Sequence, residues 1–133
     1  MPFEAVLNLT AEGTIRPYRL VKMGSADNSG LEADANEQCV GISDGSARAF
    51  DDANHALNLD QIHLQPGKIK WLEGAGAVSP GGQIKSDGDG KGVAVATSGT
   101  TTQLTVGIAL ETFASTKVSR MQWALQQFDP DPT

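Results

Sequence analysis

Asp87-Gly88-Asp89-Gly90 carries the acidic spacing with which calcium loops begin. An EF-hand loop places further oxygen ligands at its fifth and twelfth positions. Counted from Asp87, those positions are Lys91 and Ser98. A cation in a ligand position argues for a tight turn. His55 and His63 are the two histidines and Cys39 is the one cysteine. A histidine spacing of eight matches no common zinc pattern, and a single thiol has no near partner. A Cys–His nucleophile pair would need Cys39 on a rigid elbow beside a histidine. Cys39 instead directly precedes Val40 in an apolar, strand-like run, where a small buried thiol is ordinary. Gly74-Ala75-Gly76-Ala77 and Pro80-Gly81-Gly82 lack the Gly-Lys-Ser/Thr ending of a phosphate loop. Asp51-Asp52 reads as a helix cap before a metal clamp. Pairing of Glu73 with Glu111 would depend on the fold alone. The expectation is a protein with no catalytic residue, no metal and no cofactor, hence not an enzyme.

The elements that would position such groups are short and punctuated by Gly, Pro, Asn and Asp. Glu4 to Leu9 alternates, with Phe3, Ala5, Leu7 and Leu9 on one side. Ile15 to Met23 continues extended, with Pro17 at an edge or strand start. Gly24 to Asn36 is polar and turn-rich. Gln38 to Ser43 is strand-like around Val40 and Ile42. Ser46 to Asn58 is alanine-rich, with room for a short helix. Gln61 to Gln65 alternates, Pro66-Gly67 turns, and Lys68 to Leu72 places Ile69 and Trp71 on one face. Ile84–Ser86, Val93–Ala96, Leu104–Leu110 and Val118–Leu125 complete the strand-like runs. In the last, Met121, Trp123 and Leu125 share one face, and Arg120, Gln122 and Ala124 the other. Eight or nine short strands with little helix mean an all-β fold, a small β-sandwich or barrel.

The 133 residues suit one domain, read as a possible N-terminal arm or first strand over 1–14, a β domain over 15–127 and a tail over 128–133. With 16 acidic against 10 basic residues the net charge is −6 and the pI about 4.7, which argues against a nucleic-acid partner. No apolar run approaches the length of a membrane span, and no cationic-then-apolar leader opens the chain. A lone cysteine fits a reducing compartment.

The two halves echo each other. Val40-Gly41-Ile42 recurs as Val106-Gly107-Ile108, 66 residues on, and Val21-Lys22 as Ile84-Lys85, 63 residues on. Asp60–Leu64 and Arg120–Ala124 follow as alternating runs. The chain reads as two weakly similar halves, each with a glycine inside a strand where a bulge or close backbone approach belongs.

That layout resembles the capsid cement, or head decoration, proteins of tailed bacteriophages. The resemblance rests on Gln83-Ile84-Lys85-Ser86-Asp87-Gly88-Asp89-Gly90-Lys91-Gly92-Val93-Ala94, then Thr105-Val106-Gly107-Ile108-Ala109-Leu110, with the small-residue run from Gly74 to Gly82 ahead of it. The first copy, Tyr18–Lys22 and Cys39–Ile42, departs from the pattern at Met23–Gln38, and Ser46–Asn58 is longer than the family's equivalent. The resemblance implies a non-enzymatic virion protein on the outer surface of the expanded capsid. It implies a homotrimer that clamps neighbouring copies of the major capsid protein, made in the bacterial cytoplasm. Other virion parts, a tail or fibre-attachment module, share this composition, and a carbohydrate-binding β module is a further alternative. The residues expected at the capsid contact are Phe3, Val6, Leu7 and Leu9 of an apolar arm able to add a strand to a sheet edge, with Arg16, Arg19, Lys68 and Lys70 as cations. Trp71 and Trp123 are expected in the core.

Overall fold

The computed structural model of the chain describes residues 9–48, 52–96 and 101–128, with side chains for all of these except 127 and 128. They form ten strands and no helix: β1 Leu9–Ala11, β2 Leu20–Met23, β3 Ser29–Glu32, β4 Gly41–Ile42, β5 Gln61–Ile62, β6 Ile69–Glu73, β7 Gln83–Ser86, β8 Gly92–Ala94, β9 Gln103–Ala109 and β10 Val118–Phe128. The sheets run β4-β2-β3-β1-β5 and β6-β10-β9-β7-β8. Each curls until its ends meet. In the first, an antiparallel bridge Ser43↔Leu64 joins the ends of β4 and β5. In the second, a parallel bridge Gly74↔Gly92 joins β6 to β8. Two five-stranded rings result, which removes most open strand edges.

The rings are two copies of one unit, related residue by residue. Val21↔Gly41 and Leu20↔Ile42 in the first answer to Ile84↔Gly107 and Gln83↔Ile108 in the second. The parallel pair Ala11↔Gly30 answers to Gly74↔Gly92, and Leu9↔Ile62 to Leu72↔Ser119. Ser43↔Leu64 answers to Ala109↔Met121, and the bridge Ile15↔Ala56 to Val78↔Phe113. Turn conformations correspond as well. Left-handed Tyr18, Asn28 and Leu59 match left-handed Gly81, Gly90 and Thr116. The Leu59 amide donates to Ala11 O at 2.8 Å, as the Thr116 amide does to Gly74 O at 2.9 Å. The Val-Gly-Ile echo therefore marks a true structural duplication. The third strand of the echo is shifted, because the pairing aligns Ile62 with Ser119 and Leu64 with Met121, not Asp60 with Arg120.

Two apolar clusters hold the rings. Leu9, Ala11, Ile15, Val21, Ala56 and Ile62 fill the first ring, with Val40 and Leu64 at its margin. The second cluster joins Leu72, Val78, Ile84, Val106, Ala109, Phe113 and Met121 of the second ring to Leu20, Ala33, Cys39 and Ile42, which point outward from the first. One outer face of the first ring is thus buried against the second, and the halves share a core.

Several local expectations change. The run Ile15–Met23 is broken: Ile15 bridges Ala56, and a turn through Tyr18, at φ 58°, precedes β2. The turn-rich segment 24–36 contains β3, which is extended because β2 and β1 hydrogen-bond it from both sides. Asp52 caps no helix; its Oδ1 accepts from the Asn54 amide at 2.9 Å in a tight turn. Asp51 lies outside the described residues. Leu9 belongs to β1, inside the first ring. Phe128 pairs with Gln103, so β10 reaches into the segment expected as tail.

Candidate interaction surface

Of the eight residues expected at a partner, Phe3, Val6 and Leu7 lie outside the described residues. The rest do not share one surface. Leu9 is 1% exposed and fills the first ring. Arg16 and Arg19 are held within the chain, beside the joint between rings. Arg16 grips Glu32 through Nη2–Oε1 at 2.7 Å and through its own amide at 2.7 Å. The Glu32 carboxylate pushes the Arg16 guanidinium further above its ordinary range. Arg19, 5% exposed, donates across the joint to Asp89 O at 3.0 Å and to Glu73 Oε2 at 3.3 Å. Lys91 reaches the same Glu73 oxygen at 3.4 Å. A charge buried as Arg19 is must be paired to be tolerated, so Arg19 fixes ring against ring, while Arg16 pairs with Glu32 inside the first ring.

Lys68 is exposed, whereas Lys70 is 6% exposed. Its ammonium donates to Gln65 O at 2.6 Å and sits 5.6 Å from the Trp123 ring. This reverses the expected phase of β6: Lys70 and Leu72 point in, and Ile69 and Trp71 point out at 52% and 45% exposure. A lysine stem packs against apolar groups while its charge finds an acceptor, so the strand buries Lys70 without an unpaired charge. Trp123 is half-buried against the shared core, in keeping with expectation, and Trp71 is not a core residue.

The surface that does assemble is the outer face of the second ring. Trp71 lies opposite Arg120, whose guanidinium stands 5.9 Å from the indole. Arg120 Nε also binds Glu111 Oε2 at 2.7 Å, which lowers the Glu111 carboxyl below its ordinary range. Ile69 lies opposite Gln122, which lies opposite Ile108, which lies opposite Gln83. Leu110, 40% exposed, extends the patch. The alternation of Arg120, Gln122 and Ala124 marks this face of β10 in the sequence, but its neighbours come from β6, β9 and β7 and only pairing reveals them.

The groups with potential chemistry are engaged elsewhere. Asp87 Oδ1 accepts the amides of Asp89 and Lys91, both at 2.8 Å, which ties off the β7–β8 turn. Burial pushes the Cys39 thiol up to about 12, so it stays protonated at neutral pH, and it donates to Glu37 O. His55, 2% exposed, accepts the His63 amide at Nε2, 2.9 Å away, and so carries its proton on Nδ1, which donates to Ser46 O at 2.9 Å. The open polar hollow beside it is lined by Arg48 and Asp60, which pair at 2.7 Å, and Arg48 also pairs with Asp52 at 3.3 Å. Among the described residues, no three His, Cys, Asp or Glu side chains converge as a metal site.

No known family model matches the chain, and no curated protein matches it. Among solved structures it is similar to the head fiber gp8.5 N base of bacteriophage phi29, with a TM-score of 0.66 over 90% of this chain and 93% of that one. The two are 14% identical, so what they share is the fold, and they share it over nearly their whole lengths.

Proposed function

We propose that this chain is a non-enzymatic structural component of a bacteriophage particle, a β module seated on the outside of the head. The observation that carries the reading is the end-to-end fold similarity to a head-fibre base. The engagement of the chemically capable side chains in internal contacts supports it. A base module that carries or anchors an appendage fits this similarity better than a clamp. The finer proposal is a cement role, in which the protein bridges neighbouring major capsid proteins, with Phe3, Val6, Leu7 and the exposed Lys68 among the contacts. Several copies held together at one site would strengthen weak individual contacts by avidity. The net charge of −6 disfavours binding to packaged nucleic acid.

Co-sedimentation of the purified protein with expanded heads, precursor shells and tails of one phage tests the reading. Saturable binding to heads is expected. Binding to tails alone, or to none of the three, overturns it. Binding to expanded heads with a rise in their heat resistance selects the cement role, and binding without that rise selects the base role. Deleting residues 1–8 is expected to leave the fold intact and weaken head binding, and unchanged binding would remove Phe3, Val6 and Leu7 from the contact.

A further inference from the structure

The two rings differ in charge. Residues 1–66 hold ten aspartates and glutamates against four lysines and arginines, a net of −6, whereas residues 67–128 hold four against six, a net of +2. The surplus cations stand on the outer side of the second ring, because most of its carboxylates turn elsewhere. Glu73 is held at the joint by Arg19 and Lys91, Asp89 lies at the same joint beside Arg16, and Asp87 ties off its own turn. Arg120 and Lys117 remain exposed near Glu111, and Lys68 is exposed at the entry to β6.

The centre of this face is apolar. Ile69, Trp71 and Leu110 are exposed, and Trp71 and Leu110 stand on either side of Arg120. Arg120 gives Nε to Glu111, and its two Nη groups have no partner among the described residues. The guanidinium is thus oriented by the indole and by Glu111, with a fork of donors left for an incoming carboxylate. Tryptophan and arginine are the side chains that most often carry binding energy at protein interfaces. The same face of the first ring is covered: Leu20 and Ile42, which answer to Gln83 and Ile108, are buried against the second ring.

We propose that this face, centred on Trp71 and Arg120, seats the module on the phage head against an acidic protein surface with an apolar centre. The inference rests on the head-component reading and names the contact surface within it. Charge selects the counterpart: an acidic surface attracts the second ring and repels the first, which also sets the ring that faces the head. A second copy is a poorer counterpart, because carboxylates of the first ring are tied within it. Glu12 is held by Ser25 and Ser29, Glu32 by Arg16, Glu37 by Lys22 and Asp60 by Arg48.

Co-sedimentation of the full-length protein and its variants with expanded heads tests this. The wild type is expected to bind saturably and to be released as salt rises from about 0.05 M to about 0.5 M. Trp71→Ala and Arg120→Gln, each with wild-type circular dichroism, are expected to bind roughly tenfold or more weakly. Arg120→Gln is also expected to flatten the salt dependence. Asp27→Asn, at an exposed position of the first ring, is expected to bind as the wild type does. Lys117→Gln, also exposed, replaces Arg120→Gln if that variant fails to fold. Wild-type binding that neither variant weakens overturns the proposal and leaves the head-component reading intact. A wild type that binds no head overturns both. Sedimentation equilibrium without heads covers the other occupant: an oligomer that Trp71→Ala dissociates assigns the face to a second copy and overturns the proposal.

Discussion

The side chains with a capacity for chemistry have structural duties here, and substitution reads those duties directly. Glu12 accepts from Ser29 Oγ at 2.5 Å, the Ala26 amide at 2.8 Å and the Ser25 amide at 3.0 Å, and these bonds, Ser29 first, lower its carboxyl to about 2. A carboxyl lowered on folding contributes stability above its unfolded-state value, and that contribution is lost as pH falls through the folded value. The melting temperature is therefore expected to fall between the ordinary glutamate range and about pH 2, and Glu12→Gln to flatten that fall from a lower starting point; thermal melts across the acid range check it. His55→Leu leaves the His63 amide and the Ser46 carbonyl without their part-buried bonds to the ring. A loss of about 1–3 kcal/mol in denaturant titration is expected. Trp71→Ala is expected to cost less than about 1 kcal/mol, since the indole is half exposed. Phe113→Ala, at 0% exposure, is expected to cost about 3–5 kcal/mol in the same titration.

At the scale of elements, the paired Val-Gly-Ile strands allow a comparison within one molecule. At Gly107, where β9 bulges against β7, a Cβ would stand 1.9 Å from Gln122 O of β10. A strand backbone cannot yield that much without breaking its ladder. At the equivalent Gly41 a Cβ would meet Leu64 Cδ1 at 2.9 Å, the end of a side chain with other rotamers. Gly107→Ala is thus expected to destabilise by about 3 kcal/mol or more and Gly41→Ala by about 1 kcal/mol or less, as measured by paired thermal melts. The β6 edge shows another element-level device. The Gln65 amide donates to Trp71 O at 2.7 Å and accepts from Trp71 N at 2.8 Å, as a neighbouring strand would. The edge is thereby closed to outside pairing.

For the whole molecule, the shared core is the decisive feature. Leu20, Ala33, Cys39 and Ile42 leave the first ring to pack with Leu72, Ile84 and Phe113 of the second, and Arg19 ties Glu73 and Asp89 across the same joint. Each ring alone would expose that apolar surface. Calorimetry is expected to show one cooperative transition, and residues 67–133 expressed alone none, because the second ring loses four buried neighbours. Two transitions would mean that the rings are independent. The same joint explains why an acidic chain with few aromatics needs no larger core: two small units complete each other.

Composition and spacing by themselves determined the all-β class, the turn at Asp87–Gly90 and the duplicated strand pair around Val-Gly-Ile. These are local properties: short alternating runs, φ-permissive residues at the turns, and a motif repeated 66 residues apart. Tertiary structure alone decided the phase of β6. Ile-Lys-Trp-Leu puts apolar groups on both faces, and the acceptor that makes a buried Lys70 tolerable, Gln65 O, is set by the fold. It also decided that Ser29–Glu32 is a strand, since its hydrogen bonds come from β1 and β2. The exposed row from Trp71 through Arg120 likewise depends on pairing between strands far apart in the chain. Alternation states a period; which face is buried follows from what docks on it.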